Sequence, residues 1–212
     1  MPETARLKQE MVEICRMLHR KNLVAATDGN VSARVGDYLL TTPSGVNKGW
    51  VKEEQLIIVD LNGGLVEGSG RPTSELAMHL TVYRLRPEVQ SVVHAHPPLA
   101  TAFTIAGVSL EEQVLPEVVL NLGVILTAAY ATPSSPEVPE AIRELIKNHD
   151  ALLLDRHGAV TVGGDLMEAY NRMEKLEHTA MVLLMAHLLG GVRALPPEEV
   201  AKLLTLKLKM DH

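Results

Sequence analysis

Residues 92–98 read VVHAHPP: an apolar run, opened by Ser91, closes on two histidines one residue apart and then on two prolines. In an extended strand the side chains of residues i and i+2 lie on one face, so His94 and His96 are predicted to project together. Proline has no N–H to give to a ladder, which places the pair at a strand end, facing open space. Two histidines rarely hold a divalent ion tightly in water, and a third is found in LLLDRHGAVTVGG. There His157 also ends an apolar strand, and Gly158 lets the backbone turn sharply beside it. Three neutral imidazoles with an open coordination position are the donor set of a catalytic zinc site. A strand-end histidine is by itself more often an ordinary polar residue; the H-x-H pair and the third histidine together shift the reading to a metal.

Working outward, Leu7, Met11, Ile14 and Leu18 recur at helical spacing and predict an opening amphipathic helix that ends before about Leu23. TDGN, residues 27–30, is a turn cluster, and VSARV, YLLTT and LIIVD read as short strands joined by hairpin-like turns. RPTSELAMHLTVYRL predicts a helix with Thr73 or Ser74 as its N-cap. After SVVHAH come a helix over LATAFTIAG, strands GVILT and ALLLD with the helix PEVPEAIRELIKN between them, and a long helix from about Asp165 to Leu189. EEVAKLLTLKLK makes a last helix. Strands and helices mix without strict βαβ alternation. The expected fold is therefore one α/β domain over residues 1–212, a central, largely antiparallel sheet flanked by helices.

Composition narrows the function. Of 212 residues, 46% are hydrophobic but only 3% aromatic, so the core must be packed from Leu, Val, Ala and Met. A formal charge of −6 without basic runs argues against a nucleic-acid partner. The start, MPETARLKQEM, lacks the apolar stretch of a secretory signal, and no segment reaches the ~20 apolar residues of a membrane span. These features predict a cytoplasmic protein. The single cysteine, Cys15, allows no intrachain disulfide and reads as a buried thiol.

Glu75 falls in the first turn of its predicted helix, where a carboxylate favours the macrodipole. Its neighbours Thr73 and Ser74 add hydroxyls to the free N–H groups of a helix start. Gly29-Asn30 in TDGN and Ser44-Gly45 in TTPSG carry similar chemistry. Each is a commonplace turn alone, but three such segments could cradle a phosphate. His79, one helical turn after Glu75, could orient it or simply pack in the core.

TDGNVSAR, TTPSG, RPTSELAMH, VVHAHPP and DRHGAVTVG, in this order, closely resemble the class II aldolase/adducin family over nearly the whole chain, to about Gly190. The resemblance implies that His94, His96 and His157 bind Zn²⁺, with Mn²⁺ or Co²⁺ as other divalent candidates. It implies that Gly29, Asn30, Ser44, Gly45, Thr73 and Ser74 hold a substrate phosphate and that Glu75 is the catalytic carboxylate. Glu75 can shuttle the proton at the reacting carbon or its hydroxyl, provided its pKa is raised by a dry pocket. The resemblance further implies a homotetramer with active sites between subunits, and cleavage of a ketose 1-phosphate such as L-fuculose 1-phosphate into dihydroxyacetone phosphate and an aldehyde. Members cleaving that sugar carry a tyrosine acid in a segment resembling QVLPEVVLNLG, where this chain has none. Glu117 stands near that place, as a glutamate does in members that dehydrate methylthioribulose 1-phosphate; it is either a second acid/base or a solvent-facing helix start. Tyr130 is expected to pack beside the sheet. Dehydratase or decarboxylase chemistry is the alternative. Epimerases of the family, with Asp in place of Glu75, and its non-enzymatic association domains, which lack the histidines, fit less well.

Overall fold

A computed structural model describes residues 2–210; His212 lies outside them. The chain starts with α1 (Pro2–Arg20) and continues through strands β1 (Asn30–Val35), β2 (Tyr38–Thr41), β3 (Ile57–Asp60) and β4 (Leu65–Glu67). Next come α2 (Leu76–Leu85), β5 (Ser91–Ala95), α3 (Pro98–Ala106), α4 (Pro116–Asn121), β6 (Leu126–Ala128) and α5 (Glu137–Ile142). The chain closes with β7 (Ala151–Leu154), β8 (Gly158–Gly163), α6 (Leu166–Leu188) and α7 (Pro197–Met210).

The eight strands form one sheet in the order β4-β3-β2-β1-β5-β8-β7-β6. Every neighbouring pair is antiparallel except β6 and β7, which are parallel and joined through α5. The sheet is thus mixed, although mostly antiparallel as expected. Alternation along the strands splits the core in two. Val31, Ala33, Val93, Ala95 and Ala159 meet residues of α1, α3 and α6 on one face. On the other, Val92, Leu152, Val160 and Val162 meet α2 and α5.

Two hydrogen-bonded ends hold the α6 side together. Asp165 caps α6 by accepting from the Glu168 N–H at 2.7 Å. The Glu177 carboxylate, on α6, accepts from the first N–H groups of α3, Leu99 at 3.0 Å and Ala100 at 2.9 Å. The chain leaving His96 through the two prolines is thereby anchored to the longest helix. Two short elements, β4 and α4, carry too few apolar positions to stand out by period. Tyr130 departs from expectation: it lies two residues past β6 and is 60% exposed, while Ala131 takes the buried position. Cys15 is buried, and burial pushes its thiol up to about 12. Among the described residues no helix is long and apolar enough to cross a membrane.

Candidate metal centre

Strand register builds the site. Asn30 opens β1 directly opposite His94 on β5, so their side chains share the face covered by α2. His96 follows β5 by one residue, and His157 precedes β8, the strand paired with β5 on its other side. Two glycines permit this convergence. A Cβ at Gly158 would lie 2.4 Å from the Ala95 carbonyl oxygen, and one at Gly29, whose φ is +70°, would lie 2.8 Å from that of His94.

His94, His96, His157 and Glu75 bring one donor atom each to within 4.8 Å of one another. His94 Nε2 is 3.0 Å from His96 Nε2 and 2.9 Å from Glu75 Oε2. His157 Nε2 lies 3.2 Å from Glu75 Oε1, yet that buried oxygen has no hydrogen-bond partner. Donors around a single ion at about 2.0–2.1 Å stand about 3.3 Å apart, so this spacing fits four groups aimed at one cation rather than at each other. The outer nitrogen of His94 agrees, whereas that of His157 is buried without a hydrogen-bond partner. His94 Nδ1–H donates to the Ala159 carbonyl at 2.9 Å, which leaves Nε2 as a lone pair, and His96 Nδ1 faces Asp28 Oδ2 at 3.7 Å.

Protonation follows from burial and charge. Burial, with His94 and His157 alongside, lowers His96 to about 3, and burial lowers His157 too. For Glu75, burial alone would raise the pKa, but His94, His157 and the Asn30 amide outweigh it and hold the carboxyl well below the usual range. That rise does not occur, because positive charge on the neighbouring imidazoles stabilises the anion more than dry surroundings destabilise it. A bound cation would take over that positive charge, keeping the carboxylate anionic with the imidazoles neutral, the state a metal requires of its ligands.

Behind Glu75 runs a buried hydrogen-bond chain with a fixed direction. A carboxylate only accepts, so Asn30 Nδ2 donates to Glu75 Oε2 at 3.1 Å, and Asn30 Oδ1 accepts from His79 Nε2–H at 2.6 Å. His79 Nδ1 then accepts from Ser32 Oγ–H at 2.6 Å, and Ser32 Oγ accepts from Tyr83 OH at 2.9 Å. Full burial lowers His79 to about 3, the neutral form this pattern needs. His79 thus orients Glu75 through Asn30 rather than directly.

Each residue expected for the phosphate site, Gly29, Asn30, Ser44, Gly45, Thr73 and Ser74, lines a cavity of about 290 Å³ together with Glu75, His96 and His157. Two details differ from the expected helix-start cradle. The helix begins at Leu76 with Glu75 itself at the N-cap, and Thr73 Oγ1 accepts from the Glu75 N–H at 3.3 Å. The Ser44 N–H donates to the Arg71 carbonyl at 2.9 Å, leaving Ser44 its exposed hydroxyl. Glu117 is exposed in the first turn of α4 and is not among the residues lining this cavity.

The sequence reading missed Lys48, Asp28, Pro133 and Ser134, which also line the cavity. Ser134 holds a left-handed φ of 62° and its Oγ donates to Ser74 Oγ at 2.8 Å; non-glycine strain of this kind collects at functional sites. Ser74, Glu75 and Ser134 also line a neighbouring cavity of about 580 Å³.

The family described as Class II Aldolase and Adducin N-terminal domain matches residues 9–184. The chain belongs to this family. L-fuculose phosphate aldolase of Methanococcus maripaludis is 38% identical over 173 residues, 82% of this chain and 93% of that protein. A 3-oxo-tetronate 4-phosphate decarboxylase of Pectobacterium atrosepticum is 31% identical over 205 residues, 93% of this chain and 92% of that protein. The crystal structure of YgbL from Klebsiella pneumoniae superposes with a TM-score of 0.88 at 30% identity, covering 94% of this chain and 98% of that one. Class II aldolases use a divalent metal, and Glu75, His94, His96 and His157 of this member could hold one.

Proposed function

We propose that the protein is a zinc-dependent lyase that cleaves a deoxyketose 1-phosphate into dihydroxyacetone phosphate and an aldehyde. The observation that carries this reading is one cavity lined both by Glu75, His96 and His157 of the metal cluster and by six glycine and small polar residues suited to a phosphate. His94, His96 and His157 would hold the ion, with Glu75 beside them. When bound, the ion would supply a Lewis acid for the enediolate charge left as the carbon–carbon bond breaks. The other steps fall to the chain. The cradle anchors the phosphate away from the breaking bond and so orients the ketose. Glu75, an anion held in place by Asn30, takes up the proton of the hydroxyl beside the breaking bond and returns it to the enediolate carbon. Glu117 is proposed to act from a neighbouring subunit of a homotetramer, whose mass by light scattering would be four times the 23.1 kDa chain.

A second reading is supported by the Pectobacterium decarboxylase relative, which aligns with 93% of this chain against 82% for the Methanococcus maripaludis fuculose relative. Losing CO₂ from a 3-oxo acid leaves the same kind of enediolate and, unlike aldol cleavage, requires no hydroxyl proton to be removed as the bond breaks. It needs no acid in the QVLPEVVLNLG segment, where the chain has no tyrosine. A panel of ketose and 3-oxo-acid phosphates separates the readings. Dihydroxyacetone phosphate with an aldehyde marks the aldolase, and with CO₂ the decarboxylase. Water loss from methylthioribulose 1-phosphate with no triose released would overturn both.

A further inference from the structure

Lys48 has no part in the chemistry above. It is only 1% exposed, and its Nζ donates to the carbonyls of Thr27 and Val46, each at 2.8 Å. Thr27 belongs to the TDGN loop and Val46 follows TTPSG directly, and Lys48 lines the cavity together with Gly29, Asn30, Ser44 and Gly45 of those loops. An ammonium carries three donors, and the third has no acceptor among the described residues. Burying an ammonium is costly unless an anion compensates it, and two carbonyl dipoles compensate only in part. Lys48 forms no ion pair among the described residues, and burial lowers its pKa from the ordinary lysine value by more than the nearby Asp28 carboxylate raises it.

The cavity presents the complementary problem. Its lining holds two carboxylates, Asp28 and Glu75, and Lys48 is its one lysine or arginine among the described residues. Hydroxyls and N–H groups would have to hold a phosphate dianion against both carboxylates. We propose that Lys48 binds the substrate's phosphate monoester and positions its cradle: the buried ammonium ties the TDGN and TTPSG loops together and gives its third N–H and its charge to the phosphate. This rests on reading the cavity as a phosphate site.

The test is calorimetric titration of inorganic phosphate into the metal-loaded protein, wild type against Lys48→Met and Lys48→Arg. Loss of a charge-assisted bond predicts affinity weakened about 10- to 100-fold in Lys48→Met, with metal content unchanged and much of the affinity recovered in Lys48→Arg. A purely space-filling role would show the reverse, rescue by Met and not by Arg, and would overturn the proposal. Wild-type affinity in Lys48→Met would overturn it while leaving the phosphate site intact. No phosphate binding by the wild type would overturn the phosphate site and the role of Lys48 with it. Should Lys48→Met fail to fold, ¹⁵N-lysine labelling of the wild type decides. A shift of the Lys48 Nζ resonance on adding phosphate supports the assignment, and an unmoved resonance refutes it.

Discussion

At the residue scale the site is a contest between burial and neighbouring charge, and Glu75 is where the contest is decided. Its carboxylate stays anionic because the imidazoles of His94 and His157 and the Asn30 amide outweigh desolvation. Glu75→Gln keeps the size and the Asn30 contact but cannot take up a proton. It is expected to retain metal by elemental analysis and to lose turnover by a factor of about 10² or more; an active variant would remove Glu75 from the chemistry. His94→Ala or His157→Ala should lose metal and activity together while the circular dichroism spectrum stays native. His79 acts at one remove, through Asn30. His79→Phe should lower kcat about 10- to 100-fold, as loss of such supporting partners does, with KM far less changed. Equal loss in both parameters would point to a collapsed cavity instead.

At the element scale the ends of β5 and β8 set the geometry. His94 and His96 were legible because a period of two and a following proline pair define a strand end from local sequence alone. His157 was legible as a third strand-end histidine, but its proximity depends on the antiparallel pairing of β5 with β8, which no local pattern encodes. Gly158 makes that pairing close enough. Gly158→Ala would set its Cβ 2.4 Å from the Ala95 carbonyl oxygen, so the strands must part. The expected result is about 1–3 kcal/mol of lost stability in urea unfolding and weaker metal binding in the folded fraction. Unchanged stability and metal affinity would refute the requirement for close approach. α2 starts one to two residues later than its hydroxyl N-cap candidates predict, because the Thr73 hydroxyl bonds the N–H of Glu75 ahead of the helix.

At the scale of the whole molecule, one buried and one half-buried neutral histidine make the metal-free protein sensitive to acid. His79 and His96 titrate near 6.5 when unfolded and about 3 when folded. Between those values the unfolded chain binds more protons, so stability falls as pH is lowered. Glu75, depressed when folded, adds the same trend below its ordinary value of 4.5. The melting temperature of chelator-treated protein should therefore drop steadily from pH 7 to pH 5. Adding Zn²⁺ at pH 7 should raise it by the linkage of binding to folding. A melting temperature flat across that range, or indifferent to metal, would contradict the buried cluster.

By itself the sequence determined which residues carry chemistry and the class of fold, because alternating apolar positions, turn residues and strand-end histidines are local patterns read over a few residues. Only the tertiary structure decided the partners. The order of strands brought His157 beside His94, folded Lys48 beneath two loops, set Ser134 against Ser74, and left Glu117 off the cavity of its own chain. It also decided the sign of the Glu75 shift. That sign is a balance of opposing long-range terms, fixed by distances between residues far apart in the chain.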